Sequence, residues 1–406
     1  MRSQFPLALG VLLVLAAGVH AADWFHLGSA QFTARVPVTI ENPSEADNPA
    51  VPVNLLVSKL HQLMPDASAQ TLAVADESNV IVPFQISKLS QDHLLFVVPV
   101  KAHETKTVYV YAAKNPVEVP KFEPKTSTDI RQAYRSFENE FTAFRMEIGD
   151  KANTTGLAID LFGKTREGQG VQLKNIYKSE YHKRQPWGID ILKVGLGPGL
   201  GGAYIVLGDK GGDKLGRTSA KTEEFHVNYE GPVVSNVQAS GPVEIDGKKF
   251  TVSRTVKVLA GDRALLDEVD VKPENPDDAD NIKIGLGLRN LPGETWTEKP
   301  EAGYAFVAGD GNQAGTDKLG LGVAFKPATY ITMQELPDKT DGGHIYVFKP
   351  RKTSDGVLRL HDRLLAYWNG DGWITTPDQF ETALKTYGQL MTSPAKVSLA
   401  DKAETR

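Results

Sequence analysis

Residues 181–204 gather the side chains best able to move protons. Tyr181, His182, Lys183 and Arg184 give a phenol, an imidazole and two cations in consecutive positions, and Trp187 and Asp190 follow closely. A phenol and an imidazole can exchange protons with a bound molecule, and cations can neutralise a carboxylate or a developing oxyanion. In an extended segment, alternation would put Tyr181 and Lys183 on one side and His182 and Arg184 on the other. Pro186 and Gly188 then break the strand and let Trp187 stand out as a flat platform. The competing reading is a solvated, charged edge with no chemistry.

Other stretches carry weaker chemical signals. Gly197-Pro198-Gly199-Leu200-Gly201-Gly202 matches G-x-G-x-x-G, but Ala203 to Leu207 reads as strand where a dinucleotide fold needs a helix. A loop whose backbone passes close to another segment fits better. The chain has no cysteine, which excludes thiolate nucleophiles, zinc–thiolate sites and iron–sulfur clusters. No histidine pair has H-x-H or H-E-x-x-H spacing. His361-Asp362 is a possible two-ligand corner, as is His226 near Glu224. Asp277-Asp278-Ala279-Asp280-Asn281 could hold calcium, although a solvated turn explains it as well. No metal site or cofactor is therefore expected. Glu138, Glu140 and Glu147, and Asp267, Glu268 and Asp270, could supply an acid and base pair for glycoside hydrolysis, or could be exposed strand faces. Tyr367-Trp368-Asn369-Gly370-Asp371-Gly372-Trp373 sets two indoles in a glycine-rich turn, where they could stack on sugar rings or could be core residues.

The elements that must hold these groups read as β-structure. Phe32, Ala34, Val36, Val38 and Ile40 alternate with more polar residues, the period of a half-buried strand. Short strands follow at 53–57, 71–74, 80–86, 94–100 and 107–111, a spacing that predicts a sandwich. Residues 116–130, with Pro116, Pro120 and Pro124 among charges, read as a linker between a first unit at 22–115 and a second at 131–392. In the second unit, strands are expected at 141–148, 172–177, 203–207, 224–229, 233–237, 250–258, 264–271, 282–288, 320–325 and 344–348. Pro377 to Glu381 opens a helix running to about Leu390, its early acids complementing the helix dipole. Residues 393–406 read as a frayed tail.

Composition bounds the class. The chain has 406 residues, 41% of them hydrophobic and 23% charged, ample for large cores. Arg2 followed by the apolar run Leu7 to Gly18 and by Val19-His20-Ala21 reads as a cleaved secretory signal over residues 1–21. The mature chain is then expected in the periplasm or outside the cell. No later stretch is apolar for long enough to span a membrane. The formal net charge of −5 becomes one unit more negative when Arg2 leaves, which argues against nucleic acid as a partner.

Further marks suggest a family. Phe137-Glu138-Asn139-Glu140 precedes Ala143-Phe144-Arg145, and Asp160-Leu161-Phe162-Gly163-Lys164 follows. Then come His182, Trp187-Gly188-Ile189-Asp190, Val194-Gly195 and Leu200-Gly201, with Trp368 and Trp373 closing the set. Together they resemble the bacterial family of domain of unknown function 4861, over nearly all of the mature chain. Two departures are visible. Phe137-Glu138-Asn139-Glu140 stands where the family usually has Trp-Glu-Asn-Asp, and Asn369-Gly370-Asp371-Gly372-Trp373 replaces a terminal Gly-Ala-Gly-Trp. The resemblance implies an all-β fold: a large antiparallel, galactose-mutarotase-like supersandwich, with a smaller N-terminal β-sandwich portion and few short helices. It also implies an exported role in breakdown of uronic-acid polysaccharides such as pectin, and it transfers no catalytic residue.

The leading expectation is thus a protein that acts on a uronate-containing glycan, by β-elimination in its sharpest form. Arg184 or Lys183 would neutralise the carboxylate, His182 would act as base and Tyr181 as acid, with Tyr229, Tyr204 or His226 as substitutes for Tyr181. Trp187, Asp190 and Trp368 would hold sugar hydroxyls and ring faces, joined by Arg145 and Asn139 from the family marks. Two alternatives stay open: hydrolysis or anomer interconversion by two groups, and glycan binding without catalysis.

Overall fold

The computed structural model describes residues 24–88, 91–131, 134–147, 157–208, 214–217, 224–311, 313, 317–337 and 341–406. The expected signal at 1–21 lies outside the described residues, and so does the side chain of His226. The fold is all-β, with antiparallel sheets stacked as two sandwiches.

The smaller sandwich packs strands Phe32–Glu41, Leu72–Asp76 and Thr105–Ala113 against Asn48–Leu56, Phe84–Lys88 and Asp92–Val100. Val36, Val38 and Ile40 meet Val53, Leu94, Phe96, Val108 and Val110 in its core. The helix Val57–Leu63 closes one end, starting where the strand expected at 53–57 stops and filling a stretch to which the sequence assigned no element. Residues 393–406 are not a frayed tail. Lys396–Leu399 and Glu404–Thr405 both pair antiparallel with Phe32–Glu41, tying the C-terminus to the first strand.

The larger sandwich faces a ten-stranded sheet with a nine-stranded one. Its first strand, Thr126–Arg131, begins within the expected linker. Val234–Ile245 and Lys248–Leu259 form a long hairpin whose two-residue turn is Asp246-Gly247. Both turn residues have positive φ, 53° and 75°, as a turn matching strand twist requires. Ile205, Leu286, Leu288, Val256, Val269, Leu321 and Leu364 fill the space between the sheets. The helix Pro377–Thr392 starts where expected, capped by the Thr376 side chain accepting from the N–H of Gln379. It lays Phe380, Leu384 and Tyr387 on Tyr304, Phe306 and Tyr367, across the outer face of the nine-stranded sheet. No described helix is long and apolar enough to cross a membrane.

Candidate functional site

Strands Thr142–Glu147, Ile159–Lys164 and Gly188–Asp190 lie side by side in the ten-stranded sheet. Phe144, Met146, Ile159, Leu161 and Ile189 point into the core. Alternation therefore sends Arg145, Asp160, Phe162 and Asp190 to the outer face. Register pairs Arg145 with Asp160, and Phe162 with Asp190.

Residues 165–187 fold across this outer face. The short helix Leu173–Ile176, where a strand was expected, brings Leu173 and Ile176 onto Ala143, Phe162 and Trp187. Trp187 is 7% exposed, and its indole N–H donates to Ser179 Oγ at 3.2 Å. It is a pillar under the loop, not a platform for a ligand. Gly188 has φ 144°, and a Cβ there would lie 1.8 Å from the Gly163 carbonyl oxygen, so only glycine lets the chain re-enter the sheet here.

Residues 181–184 form a turn instead of an extended strand, which overturns the alternation expected for them. The N–H of Asp190 donates to the Tyr181 carbonyl at 2.9 Å, anchoring the turn above the strand. The rings of Tyr181 and His182 consequently lie 4.4 Å apart, on the same side. His182 Nδ1 sits 3.2 Å from Asp190 Oδ2 and 2.7 Å from the Gln313 side-chain amide. Arg145 is ion-paired to Asp160, and its guanidinium stands 6.0 Å from the Tyr181 ring centre. The His182 side chain is 58% exposed and that of Asp190 2%, so a buried carboxylate orients an accessible imidazole. Burial, and then the charge of Arg145, hold the His182 pKa below its ordinary value, so the ring is neutral near neutral pH. Nδ1 is within reach of both Asp190, which only accepts, and the Gln313 Nε2 group, which only donates, so the tautomer is set by which of the two it bonds. With Nδ1–H on Asp190, Nε2 would carry the lone pair.

The two neighbouring cations both have carboxylate partners. Lys183 pairs with Glu180 at 2.6 Å on an exposed surface. Arg184 bonds both oxygens of Asp317, at 2.8 and 2.7 Å, and its side chain is 52% exposed. An exposed pair such as Lys183–Glu180 is worth about 0–1 kcal/mol, so Lys183 is open to a ligand anion, whereas Arg184 is held more firmly, its Asp317 partner being 14% exposed.

The remaining expected binding residues lie elsewhere. Trp368 is 2% exposed in the core; a Cβ on Gly163 would fall 2.4 Å from its ring. Arg184 stacks at 5.1 Å from the Trp368 ring centre, but no indole face is open to a sugar. Trp373 is the exposed member of that pair, at 52%, with Arg166 over its ring. Asn139 is a buried structural residue: its amide donates to the carbonyls of Leu259 and Asp262, and its oxygen accepts from the N–H groups of Phe141 and Thr142. Tyr229 is buried at the junction of the two sandwiches, where Asn54 donates to its hydroxyl at 3.3 Å. Tyr204 is buried in the strand Leu200–Leu207. Neither Tyr229 nor Tyr204, both buried, reaches the solvent-facing side of His182 as a substitute for Tyr181.

The weaker sequence candidates also resolve. Glu138 is fully buried against Lys164, and Asp267 against Arg254. His361 and Asp362 point to opposite faces, His361 to Glu268 at 3.3 Å and Asp362 into the interior across from Asp267, so they form no corner. Asp277–Asn281 belongs to a short 3-10 helix capped by Asn275, with Lys248 bonded to Asp278. Gln313 and Asp317 were missed. Both are more than 130 positions from their partners and carry no local pattern.

A family model described as Domain of unknown function (DUF4861) matches residues 40–397. No curated protein matches the chain. Similar solved structures include a protein in the glycosyl hydrolase family 38 from Enterococcus faecalis, with a TM-score of 0.51 and 12% identity, covering 91% of this chain and 48% of that one. An alpha-mannosidase from Enterococcus faecalis V583 has a TM-score of 0.48 and 11% identity, covering 93% and 48%. At this identity the first likeness shows shared fold alone, and this chain spans about half the length of either protein.

Proposed function

The chain belongs to the DUF4861 family, and from that premise we propose that it is an exported carbohydrate-active protein acting at the His182–Asp190 cluster on a uronate-containing glycan. The observation that carries this reading is an accessible, neutral imidazole beside a buried carboxylate, with a phenol next to it and two cations next in the chain. The likeness in fold to a protein of a glycosyl hydrolase family supports the carbohydrate class.

In the proposed reaction, Arg184 and Lys183 neutralise the substrate carboxylate and so acidify the C5–H bond. His182 Nε2 takes the C5 proton, the electron pair forms the C4=C5 double bond, and the C4–O bond breaks. The Tyr181 hydroxyl gives its proton to the departing oxygen. Asp190 fixes the ring and stabilises the imidazolium that forms, as a buried carboxylate does for a catalytic histidine elsewhere.

A second reading is hydrolysis or anomer interconversion without elimination. It is favoured by Arg145, which stands over Tyr181 and whose charge reaches His182, being already neutralised by Asp160. Product identity separates the two. Pectic, alginate and glucuronan oligosaccharides would give ultraviolet-absorbing 4,5-unsaturated uronates by elimination, and shortened or epimeric saturated products by the second route.

A further inference from the structure

A cleft of about 550 Å³ opens between the edge strand Thr295–Lys299 of the nine-stranded sheet and the edge strand Tyr330–Leu336 of the ten-stranded sheet. Trp296, Glu294, Asn290, Glu335 and His344 line it. Trp296 is 48% exposed, and its ring leans on the His344 imidazole at 5.7 Å between centres. An indole held this way, with much of its surface open to the cleft, is built for stacking.

His344 is the second observation. It is only 5% exposed, and Nε2 donates to Glu294 Oε1 at 3.0 Å. A carboxylate only accepts, so the proton lies on Nε2. Nδ1 is buried and has no partner among the described residues. Buried ring nitrogens are ordinarily satisfied; this one is closed off from solvent, so His344 serves the cleft as the support that fixes Trp296 and Glu294. Glu294 is fixed in turn, because its other oxygen accepts from the N–H of Leu291 at 2.6 Å. Glu335 stands across from His344 in register and is exposed.

We infer that this cleft binds a neutral pyranose, its C–H face on Trp296 and its hydroxyls on Glu294 and Glu335. Two carboxylates on the wall would repel a uronate, which sets the ligand class apart from the one proposed for His182. No residue is shared with the His182 cluster, so either site can fail alone.

The test is saturation-transfer difference NMR on the intact chain, with the methyl pyranosides of glucose, galactose and mannose as probes and methyl galacturonoside as the anionic control. At least one neutral glycoside should bind saturably, at least fivefold more weakly in W296A and E294Q, and unchanged in H182A. Melting temperatures check each variant's fold, and E335Q, at an exposed position, gives the same reading should W296A perturb packing. The inference is overturned if no neutral glycoside saturates, if W296A, E294Q and E335Q all bind as wild type does, or if the galacturonoside binds here more tightly.

Discussion

Lys164 Nζ lies 2.5 Å from Glu138 Oε2, and neither side chain has any exposure to solvent. The ammonium also donates to the carbonyls of Asn139 and Gly170, both at 2.6 Å. The carboxylate accepts from the N–H groups of Gln172 and Leu173 and from Ser127 Oγ. Two sequence marks 26 positions apart are thus one fully bonded ion pair that pins the start of the loop carrying His182.

Breaking that pair by one partner leaves a buried charge uncompensated, so E138Q or K164M should each lose about 3–5 kcal/mol. Burial pulls the Lys164 pKa down while Glu138 holds it up, so loss of Glu138 removes the chief force keeping the lysine charged. Chemical denaturation of the two single variants and of the doubly apolar E138L/K164M would show it. The double variant should be the more stable of the three.

G188A should damage the site through its backbone. A residue forced to φ 144° with a Cβ against the Gly163 carbonyl should cost at least about 2 kcal/mol and displace Trp187 and Asp190 together. A melting temperature equal to wild type would show that the chain does not re-enter the sheet as described.

Asp362 gives a pH signature away from the site. Its carboxyl is buried directly across from Asp267, both oxygens lack partners among the described residues, and burial followed by Asp267 pushes its pKa well above the usual range. A raised acid pKa in the fold means stability that is full below the unfolded value and lost as pH rises toward the folded one. D362N removes that dependence, so its advantage over wild type in thermal melts should grow from acidic to mildly alkaline pH. An advantage that shrank with pH would reverse the assignment.

His182 has the opposite sign. Its folded pKa is depressed, so the folded state binds fewer protons, and stability is lost as pH falls through the window below the ordinary histidine value. For turnover, the acid limb should have its midpoint below that value and be flat through neutrality. D190N should lower the plateau by about 10²-fold or more through loss of ring orientation. A limb centred above neutrality would mean that His182 is not the base.

Much of the fold was legible from periodicity, because Phe32 to Ile40, Phe250 to Val258 and Ala264 to Val271 alternate cleanly and have one face to bury. The short helices Val57–Leu63 and Leu173–Ile176 were not legible, since they are one or two turns long, mix apolar and polar residues, and are too short for a helical period to stand out. The reactive stretch was recognisable by residue type, but its geometry was not. Whether 181–184 is strand or turn decides which side chains meet, and the turn is set by distant packing of Trp187 on Phe162. Exposure was equally hidden: Trp368 and Trp373 read alike in sequence, and only the close approach of Gly163 and Gly370 shows which is core. Trp296 and His344, 48 positions apart, meet through an edge contact between two sheets that no local pattern announces.

The most direct measurement of the proposed chemistry is absorbance of 4,5-unsaturated uronates released from oligogalacturonate by the purified chain and by H182A. The proposal predicts a steady rise for the native sequence and its loss in H182A, with an unchanged melting temperature. Equal rates in both proteins, or saturated products alone, would contradict elimination at His182.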